Sequence, residues 1–281
     1  MNCLLSTRTL ALAGFSLLPL AAHADLLGTD WAATSSLYRI NPAAGTATLI
    51  GSTGQPQMIG LVVDTDSTIY AVSEEPNSGL WKLNQNTGAA TLVGRLGFNM
   101  QEGDMTINPL TGQMYVANGI TDNLYIVNKG TGAASLVGSF GAAGRDISGM
   151  QFLNGTLYGV ALRDANPDAL VTIDPSTGAA TTVGNTGSNL GVIAAMGRDP
   201  SSGIVYIAGP RTDRGNDNLL YTLDLGTGAA TLQGPLTGVL GSISGFSVAG
   251  EPTILTPDGG TSALLLAIGS LSVFGLRRKT S

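Results

Sequence analysis

From residue 26 to about residue 250 the apolar positions fall in short runs, and each run ends at Gly, Asn, Asp or Pro. The runs are rich in β-branched and aromatic residues, as in "GLVVD" (60–64), "IYAV" (69–72) and "LWKL" (80–83). Such segments between turn residues read as strands. No long helical period interrupts them, which argues against βαβ units.

Four strand types recur in a fixed order. The first falls at 60–64, 104–108, 149–153, 195–199 and 245–249, and the second at 69–72, 114–117, 157–160 and 205–208. The third begins at "LYRINP" (37–42), "LWKLNQ" (80–85), "LYIVNK" (124–129), "LVTIDP" (170–175) and "LYTLDL" (220–225). The fourth is the second half of "NTGAATLVG" (86–94) and its copies at 43–51, 130–138, 176–184 and 226–234. Tyr38, Trp81, Tyr125, Val171 and Tyr221 mark the repeat, at spacings of 43, 44, 46 and 50 residues. A β-rich period of about 45 residues predicts propeller blades of four strands each.

The second strand type has one copy too few, and "LLGTDWA" (26–32) before Tyr38 can supply it. The expectation is therefore an all-β, five-bladed propeller over residues 25–251. Its last blade would join an inner C-terminal strand to three N-terminal ones, removing the open edges of the ring. Asn or Asp before Thr-Gly starts a tight turn between third and fourth strands. The Gly at 45, 88, 132, 178 and 228 is expected at positive φ, and the Ala after it is expected to let neighbouring blades approach. Asn154-Gly155 predicts a type I′ hairpin.

The two ends break the pattern. Residues 1–24 carry Arg8, an apolar run and Ala22-His23-Ala24, the order of a secretory signal peptide cleaved after Ala24. Residues 252–260 hold Pro257-Asp258-Gly259-Gly260. Residues 261–281 hold an apolar run (Ala263–Leu276) and then Arg277-Arg278-Lys279. The run is short for a spanning helix, which wants about 20 residues, but basic residues behind it fit a stop-transfer signal.

Cleavage after Ala24 removes the only Cys and the only His, Cys3 and His23. A Ser-His-Asp or Cys-His site and a structural zinc then lack their ligands and bases. The chain carries 13 Lys and Arg against 19 Asp and Glu, and four of the basic residues lie in the terminal segments. So acidic a domain is a poor partner for nucleic acid.

The loops from second to third strand and from fourth to the next first strand share one face and differ between units, the usual place for binding on a rigid scaffold. Candidate binding residues there are Arg95, Phe98, Asn99, Gln101, Glu102, Arg145, Asp146, Arg163, Asp164, Arg211, Asp213, Arg214 and Asp217. Aligning the starts of the inner strands places Gln57, Gln101, Asp146, Val192 and Ser242 at one level. Glu102, Asp104 and Asp146 form a possible carboxylate group for Ca²⁺, the only cofactor the residues suggest. Two functions remain open: a non-catalytic module binding protein or polysaccharide, and a carboxylate- or Ca²⁺-dependent hydrolase or lyase at the channel mouth.

The blade wording resembles NHL-like and YVTN-like propeller repeats over residues 26–250. It is close to the "LYxIDPxTGAATxVG" repeats of secreted bacterial proteins. The last 26 residues resemble the PEP-CTERM or VPDSG-type sorting tails of exosortase substrates, with Thr256 where Val is common. That resemblance implies export, an exosortase-type processing enzyme as partner and membrane contact through the tail. It places the protein at the outer surface, in the matrix or on the membrane of a Gram-negative-type bacterium.

Overall fold

The computed structural model describes residues 25–74, 78–162, 167–187, 195–210 and 218–248. The expected signal peptide, the sorting tail with its apolar segment, and Arg163, Asp164, Arg211, Asp213, Arg214 and Asp217 lie outside those residues.

Five antiparallel sheets of four strands form the ring. Blade 1 runs from centre to rim as β20 (Ser242–Val248), β1 (Leu26–Trp31), β2 (Ser36–Asn41) and β3 (Thr46–Ser52). Blade 2 is β4 (Met58–Val63), β5 (Ile69–Ser73), β6 (Gly79–Leu83) and β7 (Ala90–Arg95). Blade 3 is β8 (Met105–Ile107), β9 (Met114–Asn118), β10 (Asn123–Val127) and β11 (Ala134–Ser139). Blade 4 is β12 (Ile147–Leu153), β13 (Thr156–Ala161), β14 (Ala169–Ile173) and β15 (Ala180–Asn185). Blade 5 is β16 (Ala195–Arg198), β17 (Val205–Pro210), β18 (Asn218–Leu223) and β19 (Ala230–Pro235). The ring closes as expected: β20 pairs with β1, from Leu26 opposite Val248 to Trp31 opposite Ser242.

The unbroken apolar runs have a simple cause: the inner strands are buried on both faces. In β5, Ile69 and Ala71 join Leu27, Leu37 and Trp81 between blades 1 and 2. Tyr70 and Val72 of the same strand join Met105, Met114 and Val116 between blades 2 and 3. Three further clusters fill the remaining interfaces, with Phe140 and Phe152 between blades 3 and 4, Met196 and Tyr221 between 4 and 5, and Tyr38 and Phe246 between 5 and 1. The core is thus five slabs between neighbours.

The repeated segment makes the rim. Each fourth strand carries one extra residue at the same place, where the register shifts after Leu37, Leu80, Leu124, Leu170 and Leu220. Such a bulge twists an outer edge away from further pairing. Asn154 (φ 51°) and Gly155 (φ 81°) form the expected tight hairpin.

Blade contact at the rim differs from the expectation for alanine. The closest approach sets a rim glycine against the Thr-Gly turn of the next blade, as Gly94 against Thr131 and Gly132. Gly132 (φ 76°) faces Gly94 of the preceding blade, where a Cβ would lie 2.6 Å from the Gly94 carbonyl. Gly228 meets Gly184 in the same way, at 2.6 Å. The alanine supplies its amide. Ala90 donates to the Thr53 carbonyl (3.0 Å), Ala134 to Leu96 (3.2 Å), Ala180 to Phe140 (3.0 Å), Ala230 to Thr186 (3.0 Å) and Ala47 to Thr237 (2.7 Å). One such bond crosses every blade boundary, so the repeated words stitch the ring.

Candidate ligand site at the channel mouth

The loops that lead into the inner strands are held by a second set of bonds. Two residues before the conserved third-strand Leu of each unit stands a short polar side chain: Ser35, Ser78, Asp122, Asp168 or Asn218. The Ser35 hydroxyl accepts from the amide of Met58 (3.0 Å), and that of Ser78 from Met100 (2.8 Å). Asp122 Oδ1 accepts from Asp146 (2.7 Å), and Asn218 Oδ1 from Ile243 (2.6 Å). The main-chain carbonyls of all five accept from Thr53, Leu96, Phe140, Thr186 and Leu236. Each loop is therefore latched to the rim before it turns inward.

These latches set the level of the residues at the mouth. The carbonyls of Gln57, Glu102 and Asp146 accept equivalent bonds, from Glu74 (2.9 Å), Gly119 (2.9 Å) and Leu162 (3.2 Å). Glu102, not Gln101, is the counterpart of Gln57 and Asp146. The alignment in this blade was one residue out, because the preceding loop has no repeated wording to fix it. Gln57 (φ 50°) and Asp146 (φ 54°) hold the left-handed backbone that turns the chain into the channel.

A cavity of about 240 Å³ opens at this level. Trp31, Glu74, Gln101, Glu102, Ser148 and Ser242 line it above a floor of Ile59, Gly103, Ile243 and Ser244. Trp31 is 44% exposed and its Nε1–H donates to Glu74 Oε2 at 2.9 Å, which fixes the indole. Trp31, the last residue of β1, and Glu74, just past β5, occupy the same position in adjacent blades. Gly119 takes that position in blade 3, where a Cβ would meet Asp146 Oδ1 (2.7 Å) and Glu102 Cβ (3.0 Å). Gln101 and Glu102 side chains make no hydrogen bond to any described residue.

The other sequence candidates divide. Phe98 stacks on Tyr125 with ring centroids 4.2 Å apart and packs on the core between blades 2 and 3. The Asn99 carbonyl accepts from Asn118 Nδ2 at 3.1 Å. Arg95 and Arg145 are exposed. Trp31 and Glu74 were missed, because neither lies in a segment with a worded copy elsewhere in the chain.

The carboxylate trio is not gathered. Asp104 is buried, and its two oxygens accept from the amides of Met105 (2.8 Å) and Met150 (2.7 Å), tying blade 3 to blade 4. Burial pushes its carboxyl well above the ordinary range, and the two amide bonds oppose that shift. Among the described residues no three His, Cys, Asp or Glu side chains cluster to hold a metal ion. Nor is any helix among them long and apolar enough to cross a membrane.

The fold is shared widely. Nidogen, in the crystal structure of a nidogen/laminin complex, is similar over 80% of this chain and 98% of its own, at 13% identity and a TM-score of 0.51. TolB from Acinetobacter baumannii is similar over 81% of this chain at 14% identity and a TM-score of 0.48, and the match spans 58% of TolB. No curated protein matches the chain in sequence. Residues 62–199, from the inner strand of blade 2 to that of blade 5, match a family described as a repeat of unknown function (DUF6923).

Proposed function

We propose that this chain is an exported, non-catalytic recognition propeller that binds its partner at the channel mouth and the loops around it. One observation carries the reading. Bonds internal to the scaffold occupy the repeated turns, while the mouth presents a cavity in which Gln101 and Glu102 have no partner among the described residues. Side chains held at a cavity with unspent hydrogen-bonding capacity suit ligand binding. The nidogen propeller, solved with laminin, is a precedent for such a scaffold in a protein complex.

Delivery is the second half of the proposal. The signal peptide ends at Ala24, and Asp25 stands immediately before β1, so cleavage there spares the whole propeller. Processing near Pro257-Asp258-Gly259-Gly260 would likewise leave β20 intact. The test is mass spectrometry of the protein recovered from outside the cell and from its envelope. The expected mature chain starts at Asp25 and lacks Arg277–Lys279. Recovery of an intact tail on exported protein would refute the sorting claim. A partner whose binding survives both Trp31→Ala and Gln101→Ala would refute recognition at the mouth.

A further inference from the structure

We infer that Asn154 is a site of self-modification: attack by the Gly155 main-chain nitrogen removes its side-chain amide and leaves an acidic residue at the tip of the β12–β13 hairpin. Asn-Gly occurs twice in the chain, at 118–119 and 154–155, and the fold treats the two pairs in opposite ways. Asn118 is buried, its Nδ2 donates to the Asn99 carbonyl at 3.1 Å, and its Oδ1 accepts from Ile120 at 3.0 Å. The Gly119 amide, which would be the nucleophile there, donates to the Glu102 carbonyl at 2.9 Å. Asn154 and Gly155 are both exposed, and the Gly155 amide bonds no described residue. The ladder closes just outside them, at Leu153 opposite Thr156, so the tip can bend without losing a strand bond. A Cβ on Gly155 would have nothing within 4 Å, which leaves open space for the backbone change that ring closure needs.

The step balances with water as its only co-reactant. The Gly155 nitrogen gives its proton to solvent base and bonds to Asn154 Cγ. The Cγ–Nδ2 bond breaks, ammonia leaves, and a cyclic imide closes. Water then opens the ring at Cγ to give aspartate, or at the main-chain carbonyl carbon to give isoaspartate. The product meets a cation already in place. Arg198 Nη1 donates to Asn154 Oδ1 at 3.1 Å, and its Nε donates to the Gly203 carbonyl at 3.3 Å. Conversion to aspartate therefore exchanges a neutral link between blades 4 and 5 for a charge-assisted one. The hairpin lies on the face away from the mouth, so the modification leaves the recognition site untouched.

The test is a time course of the purified protein, kept warm in heavy-oxygen water, digested with trypsin and read by tandem mass spectrometry. Cleavage after Arg145 and Arg163 gives a peptide in which Asn154 is the only asparagine. Exchange of its amide for a heavy-oxygen acid is expected at least about tenfold faster than at Asn118, which must open locally before it reacts. The rate at Asn154 should lie within about tenfold of that in concentrated urea, where neither site is held. It should rise with pH, because the nitrogen attacks without its proton. Gly155→Ala should slow the exchange at least about tenfold, since a Cβ denies the close backbone approach that glycine allows. Equal rates at the two asparagines, or exchange at Asn154 only after unfolding, overturns the inference. The charged link is read separately. Asn154→Asp should raise the melting temperature more with Arg198 present than in Arg198→Gln, and the difference should shrink in high salt. Equal shifts in the two backgrounds overturn the link to Arg198.

Discussion

The buried Tyr38 hydroxyl donates to Asp30 Oδ2 at 2.9 Å, and the same oxygen accepts the amide of Gly241 at 2.9 Å. The other oxygen accepts from Ser36 at 2.6 Å, and the Tyr38 oxygen accepts from Leu240 at 3.1 Å. The pair therefore receives the last segment of chain before β20 closes the ring. Burial is the first reason the Tyr38 phenol is held above its usual pKa, and the Asp30 charge adds to it. Tyr38→Phe should lower unfolding free energy by about 1–3 kcal/mol, the cost of leaving a buried partner unmet, and Asp30→Ala should cost more. Urea unfolding measures both, with a lowered midpoint at unchanged slope.

Asn218 performs the same service from blade 5. Its Oδ1 accepts from Ile243 and its Nδ2 donates to the Gly241 carbonyl at 2.9 Å. Asn218→Ala removes both bonds and should cost about 2–4 kcal/mol, against about 1–2 for Ser78→Ala, which removes one. Equal losses in the two variants would show that latch strength does not follow bond count.

Two turn glycines, one in an inner hairpin and one at the rim, separate strain from contact. Gly155 (φ 81°) has nothing within 4 Å of a built Cβ, whereas Gly132 (φ 76°) faces the Gly94 backbone. Gly155→Ala should cost about 1–2 kcal/mol, for left-handed backbone alone. Gly132→Ala should cost at least about 2 kcal/mol more, because backbone cannot step aside as a side chain can. Thermal unfolding of the two variants side by side gives the difference.

The aspartates predict opposite pH dependences. Asp66, Asp174 and Asp224 are held below the usual range by hydrogen bonds, first from Thr68, Ser176 and Thr227 respectively. Their stabilisation is present above about pH 4 and is lost as pH falls through the folded values. Asp104 is shifted up by burial. Its favourable contribution is full below about pH 4 and is lost as pH rises through the folded value. The stability of wild type relative to Asp104→Asn should therefore decline from about pH 4 upward. A difference independent of pH would mean that Asp104 does not change protonation over that window.

The ring was legible in the sequence because its outer hairpins reuse the same words. In blades 2 to 5 the Thr-Gly-Ala turn meets the bulged strand of the preceding blade, so the same residues solve the same problem each time. The latches were not legible. Ser35, Ser78, Asp122 and Asn218 are of three residue types and share only a short acceptor within reach of an amide, which matching by letter passes over. The mouth was half legible. Gln101 and Glu102 stood out because they lie in a loop that differs between units, but the equivalence of Trp31 and Glu74 needs the register of each second strand against its third, Thr29 opposite Leu37 and Val72 opposite Leu80. The carboxylate trio failed on direction, since Asp104 turns into the wall between β8 and β12.

The pairing of Leu26 with Val248 has a practical consequence. Strand β20 leaves the mouth at Ser242 and descends, while β1 rises from Leu26 to Trp31 beside the cavity. Both ends of the propeller thus emerge together on the side opposite the cavity. A bead, a dye or a lipid attached at either end grips the protein from behind, and the cavity looks outward from whatever holds it.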